Sequence, residues 1–347
     1  METMRETLLG KTPEELRELA VKVGLPAFTG KQIARWMYVR RVGDIDSMTD
    51  ISKAGRERLK EEYDLGVIPP SGCQVSSDGT KKYLFPLGGG NAVEAVMIPD
   101  EDRKTLCVSS QAGCRMGCKF CMTGRQGFHG HLSVAQILSQ FLAIDEAQEL
   151  TNAVFMGMGE PLDNWNNVKR AIEVLTADWG FAWSPKRITL STIGVLPELK
   201  KFLDSTRCHL AVSLHNPFPE ERSEIMPVQK AWPLHDVIGL IKGYDFTGQR
   251  RVSFEYTMFA GLNDDKRHAD ALYRLLKGLE CRVNLIRFHK IPDAPFETSP
   301  QVVMEKFRDR LSNHGITCTI RASRGEDILA ACGMLAGEHR KKENPNP

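Results

Sequence analysis

The alternation of apolar strand-like segments with amphipathic helical patterns after residue 103 constrains the fold of this chain more than any other feature. Seven segments have the length and apolar content of strands, and they lie at 105–110, 152–157, 187–192, 209–214, 251–259, 282–288 and 316–321. Repeated strand–helix units build a parallel sheet that is covered by helices. Six or more such units predict an α/β fold of the partial or full (β/α) barrel type, with chemistry at the carboxyl ends of the strands.

The residues before this pattern divide into two smaller regions. Residues 1–66 contain helical patterns and end before the breaker sequence VIPPSG, so we expect a small helical N-terminal domain. Residues 67–102 alternate around Asp78 and Gly79 and around a glycine run, which predicts a β-hairpin linker segment. We expect the barrel core at 103–337 and a basic tail at 338–347.

Composition places the chain among ordinary globular proteins. Of its 347 residues, 41% are hydrophobic and 26% are charged, which excludes disordered, collagen-like and coiled-coil chains. No apolar run approaches the about 20 residues of a membrane span, and the charged start has no secretory signal. We expect a cytoplasmic protein without membrane contact, and a monomer because nothing indicates a coiled or repeated interface.

Positive charge is concentrated in two stretches, although the net charge of +2 decides nothing by itself. No Asp or Glu occurs at 19–43 or at 103–144, whereas each stretch carries five Lys or Arg residues. The first stretch also contains Phe28, Trp36 and Tyr38. These stretches predict a polyanionic partner, and a solvated surface is the alternative for each.

Three of the nine cysteines form a compact motif, CxxxCxxC, at Cys114, Cys118 and Cys121. The motif directly follows strand 105–110, where a barrel places its active site. Structural zinc normally has four ligands, and no second cysteine pair accompanies this motif. Three thiolates can instead hold a 4Fe-4S cluster with one iron open to a substrate or cofactor, so we expect one such cluster and keep zinc as the alternative.

The motif and its surroundings resemble the radical S-adenosylmethionine superfamily and, within it, the RlmN/Cfr family of RNA methyltransferases. The resemblance spans 94–337 and rests on TLCVSSQAGCRMGCKFCMTGRQGF, MGMGEPLDNW, ITLSTIGVLP, LAVSLHNP, VNLIRFH and RGEDILAACGMLAG. The helical start, GKQIARWMY, resembles the RNA-binding N-terminal domain of this family. The resemblance implies a radical S-adenosylmethionine barrel whose partners are 23S rRNA, tRNA and an electron donor such as a flavodoxin-type reductant.

The resemblance also implies a set of residues that contact S-adenosylmethionine. Each follows a predicted strand, and glycines in the GMGEP turn let the backbone approach a ligand closely. The family has Asn where this chain has a histidine in NLIRFH, and an imidazole nitrogen can serve as the polar contact there. The set comprises Gly159, Glu160, Ser191, Ser213, Leu214, His215 and His289.

Three further residues match catalytic positions of the family. The resemblance implies that Cys332 accepts a methyl group from one S-adenosylmethionine, and that a second, cleaved at the open iron, activates this methyl group as a radical. Glu94 matches the proton acceptor, with an exposed strand glutamate as its alternative. Cys107 matches the thiol that releases the product, which leaves a transient Cys107–Cys332 disulfide that the cytoplasm tolerates.

The leading hypothesis is therefore methylation of adenosine C2 in 23S rRNA at the peptidyl-transferase centre, and in tRNA next to the anticodon. The alternative within the family is the C8-methylating relative that confers antibiotic resistance, since the two share these catalytic residues. A non-catalytic RNA-binding protein that carries zinc or a cluster is the alternative from another class.

Overall fold

The N-terminal part of the chain is a small helical unit closed by a two-stranded sheet. A computed structural model describes residues 5–248 and 250–335. Thr12 begins the first helix with a capping box, in which its hydroxyl accepts from Glu15 N–H at 3.2 Å and its own N–H donates to the Glu15 carboxylate. The elements are β1 Glu6–Thr7, α1 Pro13–Lys22, α2 Thr29–Ala34, a π-helical turn at Arg35–Val39, α3 Lys53–Glu62 and β2 Tyr63–Asp64.

The rest of the described chain is built around one large sheet with helices between its strands. The strands are β3 Gly72–Val75, β4 Lys81–Gly88, β5 Asn91–Asp100, β6 Arg103–Cys107, β7 Gln111–Gly113, β8 Phe128–His131, β9 Asn152–Phe155, β10 Ile188–Thr192, β11 His209–Ser213, β12 Val252–Met258, β13 Arg282–Arg287 and β14 Thr317–Ile320. The helices are α4 Met122–Arg125, α5 Val134–Leu142, α6 Trp165–Thr176, α7 Leu196–Ser205, α8 Pro219–Ile225, α9 Leu234–Lys242, α10 Lys266–Leu276 and α11 Gln301–Asn313.

The large sheet has ten strands in the order β14-β13-β12-β11-β10-β9-β6-β5-β4-β3. Strands β6 and β9 to β14 are mutually parallel, and β3, β4 and β5 continue the sheet in antiparallel pairing. In the described part of the chain, the two outermost strands do not pair with each other, so the sheet stays open as a partial barrel. The α/β barrel-type fold expected from the alternation is confirmed.

Burial explains why the central strands are apolar throughout and why the helices have one apolar face. Strand β11 is covered on both faces, and its residues Leu210, Ala211 and Val212 are at most 1% exposed. Helix α6 turns Val168, Ile172 and Leu175 toward the sheet at helical spacing. No helix in the described ranges is long and apolar enough to cross a bilayer.

Residues 72–100 form antiparallel strands, as the hairpin pattern predicted, and β5 pairs directly with β6, so these strands extend the sheet of the core. The structure differs from the sequence expectation at the first strand of the core. Strand β6 ends at Cys107, so the rest of the predicted strand 105–110 is already in the loop that leads to the cysteine motif. The predicted basic tail at 338–347 lies outside the described residues.

Candidate active site

A cavity opens at the carboxyl ends of the parallel strands, where the barrel topology predicts the chemistry. The cavity has a volume of about 1000 Å³, part of which is open to solvent. Ten of the predicted site residues line it: Cys114, Cys118, Cys121, Gly159, Glu160, Ser191, Ser213, His215, His289 and Cys332. Leu214, Cys107 and Glu94 do not line it.

The three cysteines of the motif lie on a loop held at both ends by backbone hydrogen bonds. Cys114 N–H donates to the Gly127 carbonyl at 2.8 Å, and Met122 N–H donates to the Gly333 carbonyl at 2.8 Å. Gly113 has φ +70°, and a Cβ there would lie 1.9 Å from the Gly127 oxygen, so this turn requires glycine. The loop therefore carries its thiols into the cavity from a closely packed base.

The electrostatics of these thiols suit a cationic cluster. Burial raises the pKa of Cys114 to about 12 and the pKa of Cys121 above its usual value. Burial also raises the pKa of Cys118, and the neighbouring Cys121 and Cys114 raise it further. A positive iron–sulfur core offsets this cost by stabilising all three thiolates, so the donor set fits the cluster expected from the sequence.

The zinc alternative requires side chains that converge on one ion. Within residues 5–248 and 250–335, no three His, Cys, Asp or Glu side chains are arranged to hold a single metal ion. The three thiols line the main cavity together with Cys332 and Glu160.

The GMGEP turn after β9 places a buried carboxylate in the cavity. Gly159 has φ +95°, and a Cβ there would lie 2.4 Å from Gln111 Cβ, so only glycine fits. Glu160 is 4% exposed and accepts hydrogen bonds from Thr192 Oγ1 at 2.6 Å and from Ile193 N–H at 3.0 Å. Burial raises the pKa of Glu160 to about 7, so an incoming ammonium group would favour the charged form.

The ends of β10 and β11 contribute Ser191, Ser213 and His215 to the cavity wall. His215 is buried, adopts φ +57°, and its Nδ1 accepts from Thr257 N–H at 2.9 Å. Burial lowers the pKa of His215 to about 3, with Arg222 as a second cause, so the ring is neutral and presents an Nε2–H donor. Phe120 packs against this ring at a centroid distance of 4.8 Å.

Leu214 takes part through its backbone. Its side chain is fully buried, its N–H donates to the Glu255 carbonyl at 3.0 Å, and its carbonyl accepts from Arg222 Nε at 3.0 Å. Arg222 is itself buried and also donates to the Ser213 carbonyl at 3.0 Å. This arginine, which sequence reasoning missed, fixes the strand end that carries Ser213 and His215.

His289 lies on the opposite wall, after β13. Its Nε2 is 2.9 Å from Ser323 Oγ, and burial lowers the pKa of the imidazole. The ring thus has a protein partner on one nitrogen and stays close to the cavity, as a substitute for the family's Asn would.

Cys107 and Cys332 come together from distant parts of the sequence. Cys107 is buried at the end of β6, and Cys332 is exposed in the segment after β14, where it lines the cavity. Burial raises the pKa of Cys107 to about 12, and the nearby Cys332 thiol adds to this shift. Both are free thiols in this structure.

Glu94 is buried on β5 and does not line the main cavity. It is 2% exposed, which contradicts the alternative of an exposed strand glutamate. Its Oε1 is 3.3 Å from Lys82 Nζ, and Lys82 is also buried. Glu94 lines a second cavity together with Gly113 and Met158.

Sequence reasoning missed one charged pair in the main cavity. Glu255 on β12 is 3% exposed, accepts from Asn284 Nδ2 at 2.8 Å, and lies 3.4 Å from Arg321 Nη1. Arg321 is close enough to Cys107 for its positive charge to lower the pKa of that thiol. A carboxylate inside the apolar segment 251–259 was the available signal.

The aromatic residues of the first basic stretch are placed differently from one another. Trp36 and Tyr38 are buried in the core of the N-terminal unit, whereas Phe28 is 65% exposed. Of these three rings, only Phe28 is available to a partner, and the first two have a structural role.

The open barrel and the three-cysteine loop at its catalytic end define a radical S-adenosylmethionine enzyme. Two family models agree with this, since residues 108–273 match the radical SAM superfamily and residues 7–65 match the ribosomal RNA large subunit methyltransferase N-terminal domain. A crystal structure of a radical SAM methyltransferase from Sphaerobacter thermophilus superposes with a TM-score of 0.90, at 37% identity, and covers 95% of this chain and 99% of that one.

Two similar proteins identify the family within this superfamily. A probable dual-specificity RNA methyltransferase RlmN from Porphyromonas gingivalis strain W83 is 61% identical over 95% of this chain and 96% of its own. A dual-specificity RNA methyltransferase RlmN from Syntrophus aciditrophicus is 40% identical over 94% of each chain. The chain belongs to the RlmN family of radical S-adenosylmethionine RNA methyltransferases.

Proposed function

We propose that this enzyme methylates C2 of adenosine in 23S rRNA at the peptidyl-transferase centre and in tRNA next to the anticodon. The observation that carries the proposal is the cavity at the carboxyl ends of the strands, which brings Cys332 together with the three-cysteine loop and Glu160. Membership of the RlmN family supports an RNA substrate, and the relatives named dual-specificity support two kinds of RNA. The protein works in the cytoplasm as a monomer, with a flavodoxin-type electron donor.

Cofactor binding is assigned to the residues around the cavity. Cys114, Cys118 and Cys121 hold the 4Fe-4S cluster through their thiolates. Glu160 accepts from the amino group of S-adenosylmethionine, and the neutral His215 donates through Nε2. Ser191, Ser213 and His289 supply further polar contacts, while Gly159 and the Leu214 backbone shape the wall.

When bound, the cluster and S-adenosylmethionine supply a methyl group and a one-electron route for removing hydrogen from it. The Cys332 thiolate is the nucleophile that accepts the methyl group, because the electron-poor adenine C2 cannot. The exposed position of Cys332 lets its methyl carbon reach an adenine that has been flipped out of the RNA.

Two residues complete the transfer. Glu94 accepts the proton released from C2, since it is a buried carboxylate that lines the second cavity. The adduct would also have to lose one electron, which the bound cluster would accept. The Cys107 thiolate then attacks the sulfur of Cys332, and the S–C bond breaks with its electron pair on the product carbon. That carbon takes up a proton to become the methyl group, and a Cys107–Cys332 disulfide forms. Reduction of this disulfide prepares the next turnover.

Mass spectrometry of nucleosides tests the assignment directly. Anaerobically reconstituted protein is incubated with S-adenosylmethionine, a reductant and either rRNA or tRNA, and 2-methyladenosine is expected in both. 8-Methyladenosine would assign the C8 activity instead. Absence of both products, with Cys332 unmethylated in cluster-loaded protein, would contradict the proposal and favour a non-catalytic RNA-binding role.

Two cysteine variants sharpen the test. Cys107→Ala should accumulate a covalent protein–RNA adduct at Cys332, because nothing resolves it, whereas Cys332→Ala should form no adduct. Cys281→Ala is the matched control, since this cysteine precedes β13 and does not line the main cavity.

A further inference from the structure

The segment that carries Cys332 is fastened to the turn between β3 and β4. Gly325 N–H donates to Asp78 Oδ2 at 3.0 Å. Asp327 accepts from Ser76 Oγ at 2.5 Å and from Ser77 N–H at 3.0 Å. These bonds join positions about 250 residues apart in the chain, so the turn at 76–80 is a docking site for the start of the Cys332 segment.

The turn is shaped for this contact. Asp78 also accepts from Thr80 N–H at 2.9 Å, and Gly79 has φ +84°, which orients the carboxylate outward from a tight hairpin. These hydrogen bonds hold the pKa of Asp78 well below its usual range despite partial desolvation. Asp78 therefore remains a charged acceptor for Gly325, where φ is +62° and a side chain would collide with Thr80.

Lys82, two residues after the turn, links the same segment to Glu94. Its Nζ is 3.3 Å from Glu94 Oε1 and 3.5 Å from the Leu329 carbonyl, three residues before Cys332. Lys82 and Glu94 side chains are only 9% and 3% exposed. A buried ammonium is costly unless it has a carboxylate and further acceptors, so its position here is not explained by packing alone.

Leu329 adopts φ +53°, a strained conformation for a branched side chain, and its carbonyl is directed at Lys82. On the far side of Cys332, the Gly333 carbonyl accepts from Met122 N–H in the cysteine loop. The backbone before Cys332 therefore contacts the hairpin that carries Lys82, and the backbone after it contacts the loop that carries the three cysteines.

We propose that Lys82, with Asp78 and the turn at 76–80, is a positioning residue that holds the Cys332 segment in register with Glu94 and Cys107. One ammonium group fixes both the proton acceptor and the backbone that presents the nucleophile. This inference rests on the proposed roles of Cys332, Cys107 and Glu94, and it assigns to the hairpin a part in the reaction rather than a linking role.

A measurement without cofactor tests the positioning. Full-length protein is treated with diamide, and the Cys107–Cys332 linked peptide is quantified by mass spectrometry, together with hydrogen exchange of peptides within 324–335. Lys82→Met should lower the rate of disulfide formation about tenfold and raise exchange of the segment by a similar factor. Asp78→Ala should act in the same direction.

Two variants separate positioning from general damage. Lys81→Met removes ion pairs to Asp145 and Glu146 from the same strand and should leave both readouts unchanged. Lys82→Arg keeps the charge and the donors and should restore at least half of the wild-type rate. Equal behaviour of Lys82→Met and Lys81→Met, or an arginine variant as impaired as the methionine variant, would overturn the proposal.

The loaded enzyme supplies a second readout. Lys82→Met should cleave S-adenosylmethionine at close to the wild-type rate but methylate RNA poorly, so the ratio of 5′-deoxyadenosine to methylated adenosine should rise about tenfold. Wild-type protein that methylates no RNA would refute the proposed function. A functional wild type whose Lys82→Met variant keeps the normal ratio would refute the positioning role alone.

Discussion

Two segments border the same cavity, and they are held in different ways. The turn after β9 is held by buried hydrogen bonds to the loop after β6 and to β7: Met158 N–H donates to Ser109 Oγ at 2.8 Å, and Glu160 N–H donates to Gln111 Oε1 at 2.8 Å. The Cys332 segment, in contrast, is tied to a hairpin turn by half-exposed polar bonds and has one buried ion-pair neighbour, Lys82.

The difference matches the tasks that the two segments would perform. A carboxylate that binds one cofactor group benefits from a fixed position, because any movement weakens the contact. A cysteine that must meet a methyl donor, an adenine and a second thiol in turn cannot be locked in a strand. Separate polar anchors let such a segment release and return at low cost.

The largest effect is expected from a substitution in the turn after β9, where the neighbouring atoms leave no space for a side chain. Gly159→Ala would place a Cβ 2.4 Å from Gln111 Cβ and 2.8 Å from its backbone nitrogen, at φ +95°. We expect S-adenosylmethionine affinity to fall more than about 100-fold and the free energy of unfolding to fall by about 3 kcal/mol. Calorimetric titration and chemical denaturation measure the two quantities.

Gly261→Ala is the control for this substitution. Gly261 has φ +71°, but no atom lies within 4 Å of the position that an added methyl group would occupy, so only the backbone penalty of about 1 kcal/mol applies. Equal losses in the two variants would mean that left-handed backbone strain, and not the close approach of Gln111, fixes the turn.

The next largest effect is expected from removing the negative charge of Glu160 in the turn after β9. Glu160→Gln keeps one oxygen that can accept from Thr192, replaces the oxygen that accepts from Ile193 N–H with an amide nitrogen, and removes the negative charge. We expect about 10- to 100-fold weaker binding of S-adenosylmethionine with little change in cluster content, because a charged hydrogen bond becomes a neutral one. Iron analysis and titration of the same samples separate binding loss from cluster loss, and a parallel loss of iron would contradict this reading.

A pH experiment tests how completely the cavity wall buries His215. Its pKa is about 3 in the folded protein and ordinarily 6.5, so the unfolded chain binds the proton first as pH falls. The free energy of unfolding should therefore decline below pH 6.5, with a slope from this group that approaches roughly 1.4 kcal/mol per pH unit. His215→Asn, which tolerates φ +57°, should show a shallower decline in denaturant titrations between pH 6.5 and 4.5.

An identical slope in wild type and His215→Asn would show that His215 takes up its proton at the same pH in the folded and unfolded protein. Burial would then not keep the ring neutral, and the cavity wall around His215 would be more open than its burial indicates.

The sequence predicted the parts of this molecule that follow from local pattern. Alternating apolar and amphipathic segments produced the parallel sheet, because strands covered on both faces must be apolar throughout. The same pattern could not show that residues 72–100 join that sheet, since an antiparallel hairpin has the same alternation whether or not it pairs with a neighbour.

The candidate site likewise contains residues that the local sequence predicts and residues that it does not. Cys114, Cys118 and Cys121 are close in sequence, so their spacing predicted a shared wall of the cavity. Lys82 and Arg321 had no local signal, because their importance arises from contacts with Glu94, Leu329 and Glu255 that only the folded chain creates.

The smallest effect is expected at the outermost anchor of the Cys332 segment. Arg324 Nη2 lies 3.4 Å from Asp100 Oδ1, and the two side chains are 37% and 54% exposed. Water and salt screen such a pair, so Asp100→Ala should change the free energy of unfolding by less than about 0.5 kcal/mol. Hydrogen exchange of 324–335 and the Cys107–Cys332 disulfide rate should stay within about twofold of wild type, where Asp78→Ala changes them about tenfold. A tenfold change in Asp100→Ala would mean that screened surface contacts hold the segment. The contrast between its polar anchors and the buried bonds of the turn after β9 would then no longer describe how the two segments are held.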